Sequence, residues 1–263
     1  MKVDTESPIL LREDTDGVAV LTMNRPGARN ALSRGLMGEM LTALDAINAD
    51  DSVRVIVLRG AGPGFCAGHD LKEVRSDPSR AAYEALFAEC SALMMRIQTV
   101  RQPVIAQVHG IATAAGCQLA ATCDLAVADP GARFATPGVN IGLFCSTPMV
   151  AVSRAVGRKA AMRMLLTGDM ISAEQALSYG LLSHVAAEGA LEQDVMAIAR
   201  QIASKSPLTL AIGKEAFYRQ SEMPTAEAYA YASEVMTRNM LARDAEEGID
   251  AFIEKRDPVW EGR

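Results

Sequence analysis

Hydrophobic positions along the chain fall into two periodicities. Short apolar or β-branched runs bounded by turn residues, at Val18–Met23, 53–58, Val104–Val108, Leu125–Ala128 and Arg133–Ala135, predict strands. Between the first two, Leu36, Met37, Met40, Leu41, Leu44 and Ile47 recur every three or four positions, a helix for which Ser33 is the natural N-cap. A second helix is predicted over 80–100. After about residue 144 every clear element reads as helical, over 147–156, 158–166, 172–179, 188–204, Pro207–Gln220, 225–242 and 244–255. Thr147 stands as an N-cap before a proline at the first helical position, and Ser172-Ala-Glu-Gln175 has the reciprocal pattern of a capping box, closed by Gly180. Strands alternating with helices, then helices alone, imply an α/β layer structure carrying a helical appendage. No repeat and no low-complexity linker interrupts it.

Residues 103–124 stand apart. They read as a buried strand, a turn of small residues from Gly110 to Gly116 broken only by Ile111, and the start of a helix. Small side chains leave amide N–H groups bare at the helix end that favours negative charge, so a polarised carbonyl oxygen could be held there as in an oxyanion hole. A closely packed core helix with no chemical duty fits the same residues. A membrane span does not, because the stretch is built of Ala, Gly, Thr and Gln around an internal His109. A second glycine-rich segment, Gly60-Ala-Gly-Pro-Gly64 followed by Phe65-Cys-Ala-Gly-His-Asp-Leu71, again brings amides near the surface of a cavity. It lacks the Lys-Ser/Thr ending of a phosphate loop and the glycine order of a dinucleotide fold.

Composition narrows the partners. The 263 residues are 49% hydrophobic and 22% charged, an ordinary globular balance, with net charge −6 and no block of like charges. That argues against nucleic acid and against a membrane-surface helix, while leaving room for a small polyanion beside local basic residues. The five cysteines, Cys66, Cys90, Cys117, Cys123 and Cys145, are odd in number and lack CxxC spacing. They fit reduced core thiols of a cytoplasmic protein, and no metal site is expected. The opening MKVDTESPILLRED has mixed charge and no apolar core, so neither a secretory signal nor a transit peptide is expected.

Taken in order, Asn24-Arg-Pro26 with Asn30-Ala-Leu32, Cys66-Ala-Gly-His-Asp-Leu71, His109-Gly110 with Ala114-Ala-Gly-Cys-Gln-Leu119 and Cys123-Asp124, Phe134-Ala-Thr-Pro137, Ile141-Gly-Leu143, Leu166-Thr-Gly168 and Phe252-Ile-Glu-Lys-Arg256 resemble the crotonase (enoyl-CoA hydratase/isomerase) superfamily over nearly the whole chain. The resemblance implies a spiral of ββα units, the fold shared by ClpP and crotonase, over 1–200. It implies a helical trimerisation region over 201–263, with trimers able to pair into hexamers. It also implies an acyl-CoA or enoyl-CoA thioester as ligand, coenzyme A entering as part of the substrate with no other cofactor, and a lyase or isomerase of fatty-acid metabolism. The thioester oxygen would lie between the backbone amides of His69 and Ala115, the His69 ring taking no part. Arg29, Cys66, Gly68, Asp70, Leu71, Lys72 and Ser146 would lie along the substrate, with Arg25 near its phosphates.

By the same resemblance, the two glutamates of a hydratase fall on Gln118 and Gly138, and a third carboxylate position on Ser146. None is acidic. An amide cannot act as a general base near neutral pH, so weak hydratase activity is expected, and acids restored at 118 and 138 should raise it in a family-like pocket. Asn140, Cys145, Ser146 and His109 are nearby polar groups read as structural, as are Asp70 and Asp124 at loop and helix ends. Another crotonase-type reaction (isomerase, thioesterase or decarboxylase) and a non-catalytic acyl-CoA sensor or scaffold are the alternatives.

Overall fold

The structure, a computed structural model, describes residues 7–263, so the first six residues of the N-terminal segment lie outside it. Strand β1 (Leu10–Thr15) and strand β2 (Val18–Met23) form an antiparallel hairpin. Its two-residue turn places Asp16 and Gly17 at φ 52° and 76°, the left-handed pair that matches strand twist. Helix α1 (Arg34–Asn48) follows, with Ser33 Oγ accepting from the Leu36 amide as expected. Then come β3 (Val55–Gly60), α2 (Leu71–Ser76), α3 (Arg80–Thr99), β4 (Val104–Val108), β5 (Ile111–Thr113) and α4 (Ala115–Thr122). After β6 (Leu125–Ala128) and β7 (Arg133–Ala135), the chain runs through α5 (Pro148–Ala155), α6 (Arg158–Thr167), β8 (Ile171–Ser172), α7 (Ala173–Tyr179) and β9 (His184–Val185). Four helices close it: α8 (Leu191–Ala203), α9 (Pro207–Gln220), α10 (Thr225–Met240) and α11 (Arg243–Glu254).

The strands build two sheets. The larger has the order β1-β2-β3-β4-β6-β9, parallel from β2 onward; the smaller is β5-β7-β8. In β4-β5-α4 and again at β6-β7 the chain sends one strand to the large sheet and the next to the small one, and after β3 the Cys66–Ala112 bridge makes the same step, which is the spiral of ββα units expected for the crotonase fold. Strand period sorts the core. Val55, Val57, Ile105 and Val127 meet Leu191, Val195 and Ala199 of α8 on one face. Ile56, Leu58, Val104, Ala106 and Val108 turn to the opposite face, into the larger cluster with α1, α3 and α4.

Several elements differ from the sequence reading. β1 is exposed and charged, carries no alternation, and exists because β2 offers a paired edge. β3 begins two residues later than expected, since the Arg54 and Val55 amides both donate to Gly17 O at the hairpin turn. The region after residue 144 is not wholly helical: β8 and β9 are two-residue strands, too short for any period, held by pairing to β7 and β6. Thr147 is helical and its hydroxyl accepts no capping bond, so Pro148 alone marks that helix start. The capping box at Ser172 and Gln175 is present, and Gly180 closes α7 at φ 89°.

The helical end is fastened to the sheet by one buried knot. Lys214 Nζ of α9 donates to Ile97 O (2.8 Å), Gln102 O (2.9 Å) and Asp124 Oδ2 (2.7 Å), using all three of its protons. Asp124 also accepts from the Val104 amide at 2.7 Å and from Tyr218 Oη at 2.8 Å, so it is structural, as read from the sequence. Burial pushes the lysine pKa down, opposed by Asp124 beside it. Removing one partner of such a pair strands the other charge, so Lys214→Met is expected to lower unfolding free energy by about 3–5 kcal/mol in a denaturant titration. Wild-type stability in that variant would remove the knot from the account.

Candidate active site

The site is assembled from backbone. Loop 24–31 turns through Arg29 and Asn30, both at positive φ, and the fully buried Asn30 side chain accepts from the Arg25 amide while donating to Ala61 O and Gly64 O, both at 2.8 Å. Arg25 donates to Ala31 O (2.5 Å) and to Asp70 Oδ2 (2.8 Å). Asp70 in turn caps α2 by accepting from the Lys72 and Glu73 amides; hydrogen bonding from Arg25 leads the causes holding its pKa below the ordinary value. These bonds pin the 66–70 loop, which pairs in parallel with Leu32: Leu32 N donates to Gly68 O at 2.7 Å and Asp70 N to Leu32 O at 3.1 Å. In a parallel bridge the intervening residue turns its own amide away, and the His69 N–H donates to no described group.

The second amide comes from α4. Cys66 pairs with Ala112 of β5, and Thr113 Oγ1 donates to Ala67 O at 3.0 Å, laying the two glycine-rich segments side by side. Ala114 then turns at φ 51°, ψ −118°, a conformation alanine rarely adopts, and the chain enters α4 with the Ala115 N–H free of any described partner. Gly68, at φ +98°, separates the two amides: a Cβ there would lie 2.9 Å from Ala114 Cβ and 3.4 Å from Ala115 N. The Ala115 amide thus sits against Gly68, next in sequence to His69. Two unpaired N–H groups at a helix start, lined by neutral residues, suit an oxygen that gains negative charge; one such donor contributes roughly 3 kcal/mol to a transition state.

The expected side chains divide into those gathered here and those elsewhere. Gln118 lies one turn along α4 from Ala115, buried, with Oε1 accepting weakly from Cys90 Sγ of α3 at 4.0 Å and its amide nitrogen donating to no described residue. The Cys66 and Cys117 thiols are pushed up to about 12 by burial and stay neutral. His109 Nε2 donates to Gly62 O at 2.8 Å, a structural use. Gly138 lies in a 3-10 turn whose amide donates to Cys145 Sγ at 3.3 Å, while Ser146 and Asn140 are exposed. Arg29, Leu71 and Lys72 are exposed around the rim. Asn30 and Phe87 were not foreseen; a buried asparagine right after a Pro-Gly turn was the available signal for the first, and nothing marked the second.

One expectation is corrected. A Cβ on Gly138 would lie 2.6 Å from Leu143 O and 2.9 Å from Cys145 Sγ, so residue 138 has no room for a side chain of any kind. The segment 138–145 has closed over the position, and an acid cannot simply be restored there.

The family model described as Enoyl-CoA hydratase/isomerase matches residues 13–263. The chain belongs to this family. It is 47% identical to human enoyl-CoA hydratase domain-containing protein 3, mitochondrial, over 93% of this chain and 81% of that one. It is 35% identical to 2,3-dehydroadipyl-CoA hydratase of Escherichia coli K12 over 94% and 96%. The crystal structure of an enoyl-CoA hydratase from Mycobacterium smegmatis superposes with a TM-score of 0.94 at 52% identity, covering 97% of this chain and 99% of that one. The crotonase fold expected from the motifs is therefore the observed one. No helix among the described residues is long and apolar enough to cross a membrane.

The crowding at residue 138 gives a direct test. Gly138→Glu is expected to cost about 1–3 kcal/mol by overpacking, read as a lower melting temperature, and to leave crotonyl-CoA hydration no faster alone or with Gln118→Glu. A stable, faster double variant would show that the loop yields.

Proposed function

We propose that this protein binds acyl-CoA or enoyl-CoA thioesters of fatty-acid metabolism, seating the thioester oxygen between the His69 and Ala115 amides, and that it is an enoyl-CoA hydratase/isomerase-type enzyme poorly equipped for hydration. The observation that carries this reading is the pair of unpartnered backbone N–H groups beside Gly68. A thioester carbonyl gains charge as an enolate forms, and fixed dipoles stabilise that state above the neutral ground state. Cys66, Gly68, Asp70 and Leu71 form the wall around the oxygen. Arg29, Lys72 and Ser146 are the exposed groups available to the rest of the ligand, coenzyme A being part of the substrate and no separate cofactor being required. Arg25 is engaged with Asp70 and serves the loop.

Hydration needs a base for water and an acid for the α-carbon. Gln118 is neutral, Gly138 has no space, and Ser146 is a hydroxyl whose Oγ donates to Phe144 O. The same lack of carboxylates favours one alternative, a non-catalytic acyl-CoA sensor. Self-association into a trimer or a dimer of trimers is supported by the helical end: α10 buries none of its residues, and Tyr229, Leu241, Phe252 and Ile253 are 70% exposed or more. Five buried free thiols suit a reducing compartment such as the cytoplasm.

Saturating butyryl-CoA is expected to raise the melting temperature, by about 2.7 kcal/mol of stability at a hundred times its dissociation constant. Crotonyl-CoA hydration is expected to run about 10²–10⁴-fold below that of a relative with both acids. No stabilisation by any CoA thioester would end the binding reading, and a full hydration rate would end the claimed deficit. Light scattering that finds only monomer would end the trimer.

A further inference from the structure

The His69 side chain is not accounted for by the fold. Both ring nitrogens are enclosed with no partner at full hydrogen-bond geometry among the described residues, the Leu32 backbone alone bearing on the ring as a weak acceptor. Leaving such a group unpaired costs about 1–3 kcal/mol, whereas a small apolar side chain at 69 would leave the same backbone amide without that cost. The ring stands edge-on to Phe87 of α3, centroids 6.0 Å apart at 75°. Gln118 reaches the same helix one turn on, at Cys90. Residues 87 and 90 share a face of α3, and residues 115 and 118 share a face of α4. The His69 imidazole and Gln118 therefore meet successive positions of one face of α3, and the two free amides belong to His69 itself and to the first residue of the helix that carries Gln118.

The charged groups near the His69 ring are committed elsewhere. Asp70 is paired with Arg25, and Glu89 of α3 with Arg34. Glu73 of α2 accepts from the Arg34 amide at 3.0 Å, and its charge acts on the ring without bonding to it. Burial pushes the Cys90 thiol up to about 11, and α4 offers only the equally inert Cys117. Burial lowers the His69 pKa below its usual 6.5, so the ring is neutral at pH 7 and has a lone pair to offer.

We propose that the imidazole of His69 is the proton acceptor of this site, drawing a proton from the carbon beside the thioester carbonyl. The inference rests on the acyl-CoA reading above and deepens it. The Cα–H bond breaks, its electron pair becomes the Cα=C1 bond, the carbonyl π pair moves onto the oxygen held by the His69 and Ala115 amides, and the proton sits on the ring nitrogen. Reversal returns the proton to the same carbon. Where the chain has a double bond between C3 and C4, delivery to C4 moves that bond into conjugation. A single base completes this shift, with no second acid, water or oxidant, so the empty acid positions are no obstacle to it. Gln118 is a neutral wall that leaves the base unprotonated.

The test follows conversion of 3-hexenoyl-CoA to 2-hexenoyl-CoA, with hexanoyl-CoA binding measured in parallel by calorimetry. His69→Phe keeps the backbone amide and a ring against Phe87. It is expected to lose about 10²–10⁴-fold in rate while hexanoyl-CoA affinity holds within a few-fold. The wild-type rate should fall on the acid side as the ring is protonated, a limb missing from the residual rate of His69→Phe, and free imidazole should restore part of the rate of His69→Ala. A His69→Phe rate equal to wild type, or an acid limb that survives in it, overturns the proposal. Wild-type protein that binds hexanoyl-CoA but leaves the double bond in place also overturns it, with the binding reading intact. Absence of any binding removes the binding reading itself.

Discussion

The structure depends on two stretches of backbone lying closer than side chains permit. A Cβ on Gly116 would fall 2.1 Å from Cys66 O, and one on Gly110 would fall 2.2 Å from Pro63 O. Glycine is required at both places for approach, and only Gly110 of the two also needs its positive φ. Because segment 63–69 can rest directly on segment 110–116, the Cys66–Ala112 bridge forms, α4 starts where it does, and two amides are left without partners. Asn30, Arg25, Asp70 and His109 then act as fasteners on the first segment, each bond contributing about 0.5–1.5 kcal/mol net. The polar ends of these side chains are engaged by the protein itself, and their role is to keep the main chain from relaxing.

The proposed site offers dipoles with almost no net charge. α4 carries no acidic residue in its first turn, the nearby thiols are neutral, and the positions expected to be acidic are an amide and a glycine. In dry surroundings fixed N–H dipoles stabilise a developing oxyanion without the reorganisation that water would need. A site of this kind promotes enolate formation in general and leaves the fate of the enolate to whichever proton-transfer group is present. On the proposed reading the oxygen-binding amides belong to the backbone, while the proton chemistry belongs to a few replaceable side chains.

Much of this was legible in the sequence wherever a local pattern decides the outcome. A short apolar run bounded by turn residues gave β2, the helical spacing of Leu36 to Ile47 gave α1, and the Ser172–Gln175 pair gave a helix start down to its reciprocal hydrogen bonds. The small-residue stretch at 110–116, read as a turn, folds as the short strand β5 and the start of α4, and it leaves the Ala115 amide without a described partner. What could not be read is what depends on partners distant along the chain. β1, β8 and β9 have no period of their own and exist through pairing, and Thr147 satisfied a local rule that the geometry did not use. The sequence also could not say that 138 is a glycine because Leu143 and Cys145 occupy the space, or that the His69 ring lies enclosed without a partner at full hydrogen-bond geometry. Both facts require knowing which loops fold over which.

The Asp124 knot carries a consequence for how the molecule comes into being. Asp124 sits just past the far end of the helix whose first amide helps form the site, and its fasteners, Lys214 and Tyr218, lie on α9; Tyr218 is 94 positions later in the chain. On a ribosome, which releases a chain from its N-terminus onward, the glycine-rich segments emerge long before those two side chains. Until they arrive, Asp124 has only the Val104 amide to neutralise it, and α4 is tethered at one end. Nascent chains and fragments cut short before α9 would hold the residues proposed to face the ligand yet lack this anchor.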